Sequence, residues 1–383
     1  MVWRLTMILD SLLDRLSGGL KKPLTVPPPT AHPVTRPNFV LTYEQKDITA
    51  SVEPYLISFS YTDYLGEQSD ELQLHFEDVD GRWLRSWFPE QGDKLSLGCG
   101  DQFTGIINWG SFELAEIEWQ RNQQSGDVVS LKALSTGIRH ANRTLQPKAY
   151  ENMMLADIVK VIAARLKLTV SGSIKPIKIQ RITQYQERDV EFLARLAKQY
   201  GHTFKIVDKK LVFTRNDALS QQEAVLVMQP ENLLSIRLRD LIKGTPDKAV
   251  VTGYDAKKKR AIRAERKTQP LRGKAKRHTS GDTLKITPNK GESQAETNAR
   301  ADAALQDAQE ERCAGNITLF GNALLVAGKV IELQRMGKFS GRYLVKQARH
   351  DYSKSRGYIT DLEIKMVEYI AEESEHNDAP AQP

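Results

Sequence analysis

Residues 71–78 read Glu-Leu-Gln-Leu-His-Phe-Glu-Asp, with Leu72, Leu74 and Phe76 at every second position. A period of two puts all three on one face of an extended strand, which no helix does. The pattern recurs in Tyr55–Tyr61, Lys94–Leu97 and Val128–Leu134. Turn-forming clusters separate the runs: Asp78-Val79-Asp80-Gly81, Gln91-Gly92-Asp93 and Gly98-Cys99-Gly100-Asp101. Short strands at this spacing predict an antiparallel β-barrel or sandwich over 38–145.

The period then changes. Leu155, Ile158, Val159, Ile162, Ala163 and Leu166 mark a helix face, with Asn152 as its expected cap. A second helix carries Phe192, Leu193, Leu196, Ala197 and Tyr200 and stops at Gly201. A hairpin over 203–213 completes a small α/β insert at 146–215. From 216 to 370 alternation returns, interrupted by a basic segment and one helix over 292–313. Ser293 with Glu296 three residues on opens that helix as a capping box. The basic segment, 256–278, is expected to be an extended loop facing a channel or a neighbouring protein, with a solvated β-hairpin loop as the alternative. It carries Lys257, Lys258, Lys259, Arg260, Arg263, Arg266, Lys267, Arg272, Lys274, Lys276 and Arg277 against the single acid Glu265. Such a run self-repels unless it is solvated or meets an acidic surface. Nucleic acid is a second candidate contact. No aromatic lies between Lys257 and His278, so base stacking is not signalled.

One repeat is visible. Gly92-x-x-Leu95-x-Leu97 is followed by Phe103-x-Gly105, and Gly328-x-x-Ile331-x-Leu333 by Phe339-x-Gly341. Each precedes a long alternating strand, so one β-module is expected to occur twice.

The first 37 residues differ from the rest. Leu5, Ile8, Leu9, Leu12, Leu13 and Leu16 lie at helical spacing within 1–22, while Asp10 and Asp14 interrupt any signal-peptide core. They predict an amphipathic helix docked on a partner or another subunit. Prolines 23, 27, 28, 29, 33 and 37 make 23–37 a semi-extended tether. The acidic end, 371–383, has the composition of a disordered tail.

No constellation for catalysis emerges. No two of the seven histidines fall within four residues of each other, and neither cysteine lies near one. Zinc ligation is therefore unsupported, and no cofactor or metal is expected. Glu116 and Glu118 alternate with Ile117 and Trp119, as on a strand's polar face. Asp189 and Glu191 suit a helix N-terminus. No apolar run approaches the ~20 residues of a membrane span, so no stable membrane insertion is expected. The balance of 55 Lys+Arg against 48 Asp+Glu permits a polyanionic partner without requiring one.

Residues 186–202, Gln-Glu-Arg-Asp-Val-Glu-Phe-Leu-Ala-Arg-Leu-Ala-Lys-Gln-Tyr-Gly-His, then Phe204 and Leu211-Val-Phe213, resemble the phage late control gene D family. So do Gly321-Asn-Ala-Leu-Leu-Val-Ala-Gly328, Phe339-Ser-Gly-Arg-Tyr-Leu-Val345, His350 and Gly357-Tyr-Ile-Thr360. These are hubs of contractile tails, related to those of R-type bacteriocins and type VI secretion spikes. The resemblance covers about 38–366. It implies two tail-tube-like antiparallel β-barrel domains with a small α/β domain, assembled as a homotrimer. The implied role is structural and non-enzymatic: an adaptor between a six-fold tail tube and a three-fold spike, with a channel for DNA. The implied partners are the tube protein, the spike protein and other baseplate or tape-measure proteins, with transient contact to genomic DNA. The implied place is the virion tail, after synthesis in the bacterial host cytoplasm. The N-terminal helix and tether depart from the family pattern. A tail-tip cell-wall hydrolase and a free nucleic-acid-binding protein are the rival readings.

Overall fold

The computed structural model describes residues 24–25, 37–66, 68–101, 104–123, 126–135, 145, 147–255, 259–274, 279–287 and 292–371. The predicted helix through Leu5, Ile8, Leu9, Leu12, Leu13 and Leu16 lies outside them, as do most of the tether and most of the acidic tail. Within the tether, β1 (Leu24–Thr25) is a strand.

Alternation in the first 134 residues becomes β2 (Asn38–Tyr43), β3 (Lys46–Asp47), β4 (Leu56–Tyr64), β5 (Glu71–Glu77), β6 (Lys94–Asp101), β7 (Gly105–Asn122) and β8 (Gly126–Leu134). Leu72, Leu74 and Phe76 of β5 are all buried, with Phe59, Tyr61, Trp109 and Phe112, in one core. Burial of each such side chain contributes ~1.5–3 kcal/mol. The expected turn at Gly98–Asp101 is instead part of β6, and Cys99 is buried in it. The glycines are there for contact rather than for a turn. A Cβ on Gly100 would lie 1.7 Å from the Gly105 carbonyl oxygen, and one on Gly98 would lie 2.7 Å from Ile106.

The insert contains β9 (Lys148–Met154), α1 (Leu155–Leu166), β10 (Thr169–Ser171), β11 (Lys178–Gln184), α2 (Asp189–Tyr200), β12 (His202–Val207) and β13 (Lys210–Arg215). The apolar faces of α1 and α2 meet in one buried cluster with Ile179, Phe204, Leu211 and Phe213. Asn152 does not cap α1. Met154 holds that position without a side-chain bond, and Asn152 instead takes a left-handed φ of 54°.

The rest of the chain contains β14 (Ala224–Met228), β15 (Ser235–Asp240), β16 (Lys248–Asp255), β17 (Arg260–Lys267), β18 (Thr283–Ile286), α3 (Gln294–Glu310), β19 (Cys313–Phe320), β20 (Val330–Leu333), β21 (Gly341–Ser353) and β22 (Gly357–Tyr369). Ser293 caps α3: its hydroxyl accepts from Glu296 N, and Ser293 N donates to Glu296 Oε2 at 2.7 Å.

One strand sequence occurs twice. In space the first module runs β4-β5-β8-β7-β6-β2, and the second runs β15-β19-β22-β21-β20-β14. Taken in chain order within each module, these are the same arrangement. The agreement reaches single residues. β7 and β8 pair Leu114 with Ala133 and Glu116 with Lys132, with a bulge between. β21 and β22 pair Val345 with Ile364 and Gln347 with Glu363, with a bulge between. The hairpins then end on Asn122–Gly126 and Ser353–Gly357.

The ladder also corrects the sequence repeat. Gly92 and Gly328 have φ of 95° and 87° and lead into β6 and β20, where Leu95, Leu97, Ile331 and Leu333 are buried. Leu95 faces Phe112, and Ile331 faces Tyr343, so this half of the repeat marks equivalent positions. The other half does not. Gly105 lies opposite Asp101, whereas Gly341 lies opposite Leu333, because the first module's hairpin is longer. Phe103 lies outside the described residues.

Two further differences from expectation concern the barrels. Among the described residues no ladder joins β2 to β4 or β14 to β15, so each module's hydrogen bonding is open between its first and last strands. In addition, β14 pairs with β20 in parallel, whereas β2 pairs with β6 antiparallel. β14 follows the insert and the short helix Asn216–Ser220, and it enters its sheet in the opposite direction.

Candidate functional site

Residues 260–267 of the basic segment form one arm of a β-hairpin rather than an extended loop. Arg260–Lys267 pairs antiparallel with β16, from Asp255↔Arg260 to Lys248↔Lys267. The reason is an alternation hidden by charge. Ile262 and Ala264 are buried with Ala249 and Val251 beneath α3, against Ala301 and Leu305, while Arg263 and Glu265 point outward. The cations are also less isolated than their spacing suggests. Glu265 binds both Lys248 (2.9 Å) and Arg263 (2.8 Å), and Arg266 binds Asp302 (3.0 Å). Arg272 reaches Glu368 at 3.4 Å, and Lys274 reaches Asp240 at 3.9 Å. Lys259 and Arg260 are exposed at the hairpin tip. Lys257, Lys258, Lys276 and Arg277 lie outside the described residues.

The strongest electrostatics lie at joints between units, which charge spacing did not reveal. Lys205 of β12 is part-buried between the buried carboxylates of Asp63 in β4 and Asp70, 2.8 Å from the latter. Its ammonium also donates to the Tyr64 carbonyl at 3.0 Å. Two buried carboxylates share one cation here. Burial pushes the Asp70 carboxyl up to about 7, with the charge of Asp63 adding and Lys205 opposing. Asp63 further accepts from Ala327 N at 3.0 Å, so three parts of the chain meet on one side chain. Lys365 of β22 and Glu310 of α3 form a second buried pair at 2.7 Å, and Glu296 of α3 accepts from Gln180 N of the insert at 3.1 Å. Asp189, expected only to favour a helix dipole, also binds buried Gln184 (2.8 Å) and Arg165. Lys365 also borders a cleft of about 440 Å³ lined by Lys198, His202, Asp307, Glu311, Lys346 and Glu363. Burial holds His202 down at about 4, and Lys346 bridges Glu311 and Glu363. Among the described residues no group of three metal-ligating side chains forms. Burial pushes the Cys99 thiol up to about 12, as suits packing rather than nucleophilic attack.

The two modules are joined within the chain by strand pairing. The second half of β21, Gln347–Ser353, runs antiparallel to Tyr64–Ser58 of β4. His350 is fully buried there. Its ring lies tilted against Trp109 and stacks on Tyr61, with centroids 4.7 and 5.9 Å away. Its nitrogens lie 2.8 Å from the Tyr358 hydroxyl and 2.9 Å from the Leu325 carbonyl oxygen, so Nε2–H donates and Nδ1 accepts.

Residues 134–356, more than half the chain, match the family model described as phage tail baseplate hub (GPD). The chain belongs to this family. Two curated hub relatives agree with the assignment. Over 181 residues the chain is 33% identical to the probable baseplate hub protein of Escherichia phage 186, and 31% identical to that of phage P2. In each case the match takes in 47% of this chain and 45% of the relative, so it spans about half the length of these hub proteins. The fold is also that of solved tail proteins. The 43 kDa tail protein of prophage MuSo2 from Shewanella oneidensis superposes with a TM-score of 0.62 at 15% identity, over 86% of this chain and 98% of that one. A tail protein from Neisseria meningitidis MC58 gives 0.64 at 12% identity, over 86% and 96%.

Proposed function

We propose that the chain is a structural hub of a contractile phage tail or tail-like particle. It acts as a homotrimeric adaptor between a six-fold tube and a three-fold spike. The observation that carries this reading is the duplicated module. A chain with two equivalent modules, used three times, offers six similar units on one side and keeps three-fold symmetry on the other. The paired charges at the joints support a role in holding the units rigidly together, and a channel on the ring axis would admit DNA. The exposed tip at Lys259 and Arg260 suits an acidic neighbour or the passing nucleic acid. A solved relative, described as a type VI secretion component similar to phage T4 tail proteins, has a TM-score of 0.50 at 11% identity and supports the same setting. Negative-stain imaging of the purified chain tests the reading: a three-fold ring with a central hole is expected, and a compact monomer at high concentration contradicts it.

A further inference from the structure

The intrachain joint uses one open edge from each module, and the duplication says which edges remain. β21 gives its first half to β20 and its second half to β4. The equivalent strand in the first module, β7, gives its first half to β6, up to Glu113↔Lys94. From Glu116 to Asn122 its ladder, among the described residues, is with β8 alone. β4 is the strand that receives β21. Its equivalent, β15, pairs among the described residues only with β19, leaving its other side open there. Open edges of this kind are templates for pairing with another chain.

We infer that β15 of one copy adds antiparallel to the Glu116–Asn122 half of β7 in the next copy, repeating between chains the β4·β21 joint within the chain. The register follows from the matched ladders. Thr62 pairs with Glu71 as Arg239 pairs with Ala314, and Glu71 and Ala314 face the equivalent residues Leu134 and Lys365. Tyr61↔His350 therefore becomes Leu238↔Trp119, Thr62↔Arg349 becomes Arg239↔Glu118, and Ser60↔Asp351 becomes Arg237↔Gln120.

The side chains fit this register. Arg237, Arg239, Glu116 and Glu118 are exposed, and none forms a salt bridge among the described residues. The pairing sets Arg239 opposite Glu118 and Arg237 opposite Gln120, diagonal to Glu118, on one face. On the other face, Trp119, 37% exposed, meets Leu238, which sits at the rim of the second core. That is where buried His350 meets buried Tyr61 inside the chain. Self-pairing of either edge opposes like charges, Arg to Arg or Glu to Glu, so only the head-to-tail match is favoured. A head-to-tail contact closes into a ring when its rotation allows. The count of three rests on the function proposed above, but the choice of edges does not.

Cysteine pairs in the full chain test this. Under mild oxidation Glu118→Cys/Arg239→Cys and Gln120→Cys/Arg237→Cys should give covalent oligomers on denaturing gels, whereas the misregistered pair Gln120→Cys/Asp240→Cys should not. Glu116→Arg/Glu118→Arg and Arg237→Glu/Arg239→Glu should each weaken self-association at least about tenfold, and the four changes together should restore it. Native mass spectrometry separates the two proposals. Trimers with no register-specific cross-link and no effect of charge reversal overturn the edge pairing and leave the hub reading standing. Specific cross-links in an assembly of another size uphold the edges and contradict the trimer. No self-association at all overturns both.

Discussion

The two β-modules share one ladder and differ in what hangs from it. The first module joins β4 to β5 through residues 65–70, whereas the second places 241–312 at the equivalent connection, from β15 to β19. That stretch holds the β16–β18 sheet and α3, yet the β-bulge, hairpin ends and buried positions match the shorter module. A surface connection can grow at little cost to the sheet it leaves, because loop-closure entropy rises slowly with length. The added element then contributes elsewhere, since α3 pairs with β22 through Glu310–Lys365 and contacts the insert through Glu296. Among the described residues the first module takes Lys205 from the insert instead.

The comparison is broken most directly at its matched core positions. Phe112→Ala and Tyr343→Ala, both facing strand residues that the repeat marks as equivalent, should each destabilise by about 3–5 kcal/mol in denaturant unfolding. A large cost at one and little at the other would show that the ladders match without the cores doing so. Lys205→Met should cost about 3–5 kcal/mol, since it leaves two buried carboxylates without a cation. The same site gives a pH signature. The Asp70 carboxyl is raised from 3.8 to about 7 in the folded chain, so between those values the folded state holds more protons than the unfolded one. Its contribution is therefore greatest below about 4 and is lost as pH rises towards about 7. Asp70→Asn should flatten that part of the stability–pH curve, and an unchanged curve would assign the slope to other groups.

Smaller effects sharpen the role of the insertion. Ser293→Ala removes the α3 cap and should cost about 1 kcal/mol. Replacing Lys257–Arg260 with serine should shift stability by less than about 0.5 kcal/mol. In a particle it should lower assembly or genome delivery, and undiminished delivery would remove the hairpin tip from the function.

Period-two runs with large apolar residues were legible, as were the amphipathic faces of α1 and α2 and the capping box at Ser293. Each is a local signal with few competing conformations. A hairpin over the basic segment was legible only as a solvated loop, because its inward residues are just Ile262 and Ala264 and its apolar cover, α3, lies some thirty residues on. Cys99 was misread because glycine on both sides signals a turn, whereas here it permits close approach of β7. The Lys205 site joins residues more than a hundred positions apart in sequence, so no spacing rule exposes it. The repeat at Gly92 and Gly328 pointed to the duplication, but its Gly105 and Gly341 members fall at different ladder positions because the two hairpins differ in length.

Cryo-electron microscopy of the purified chain, at a resolution that separates strands, tests the central claim that one module is used twice and joined the same way each time. The account predicts a three-fold ring in which β15 of each copy lies antiparallel on Glu116–Asn122 of the next, with Trp119 on Leu238 where His350 meets Tyr61 within the chain. A ring whose copies meet through other surfaces, leaving β15 and the end of β7 open to solvent, would contradict it.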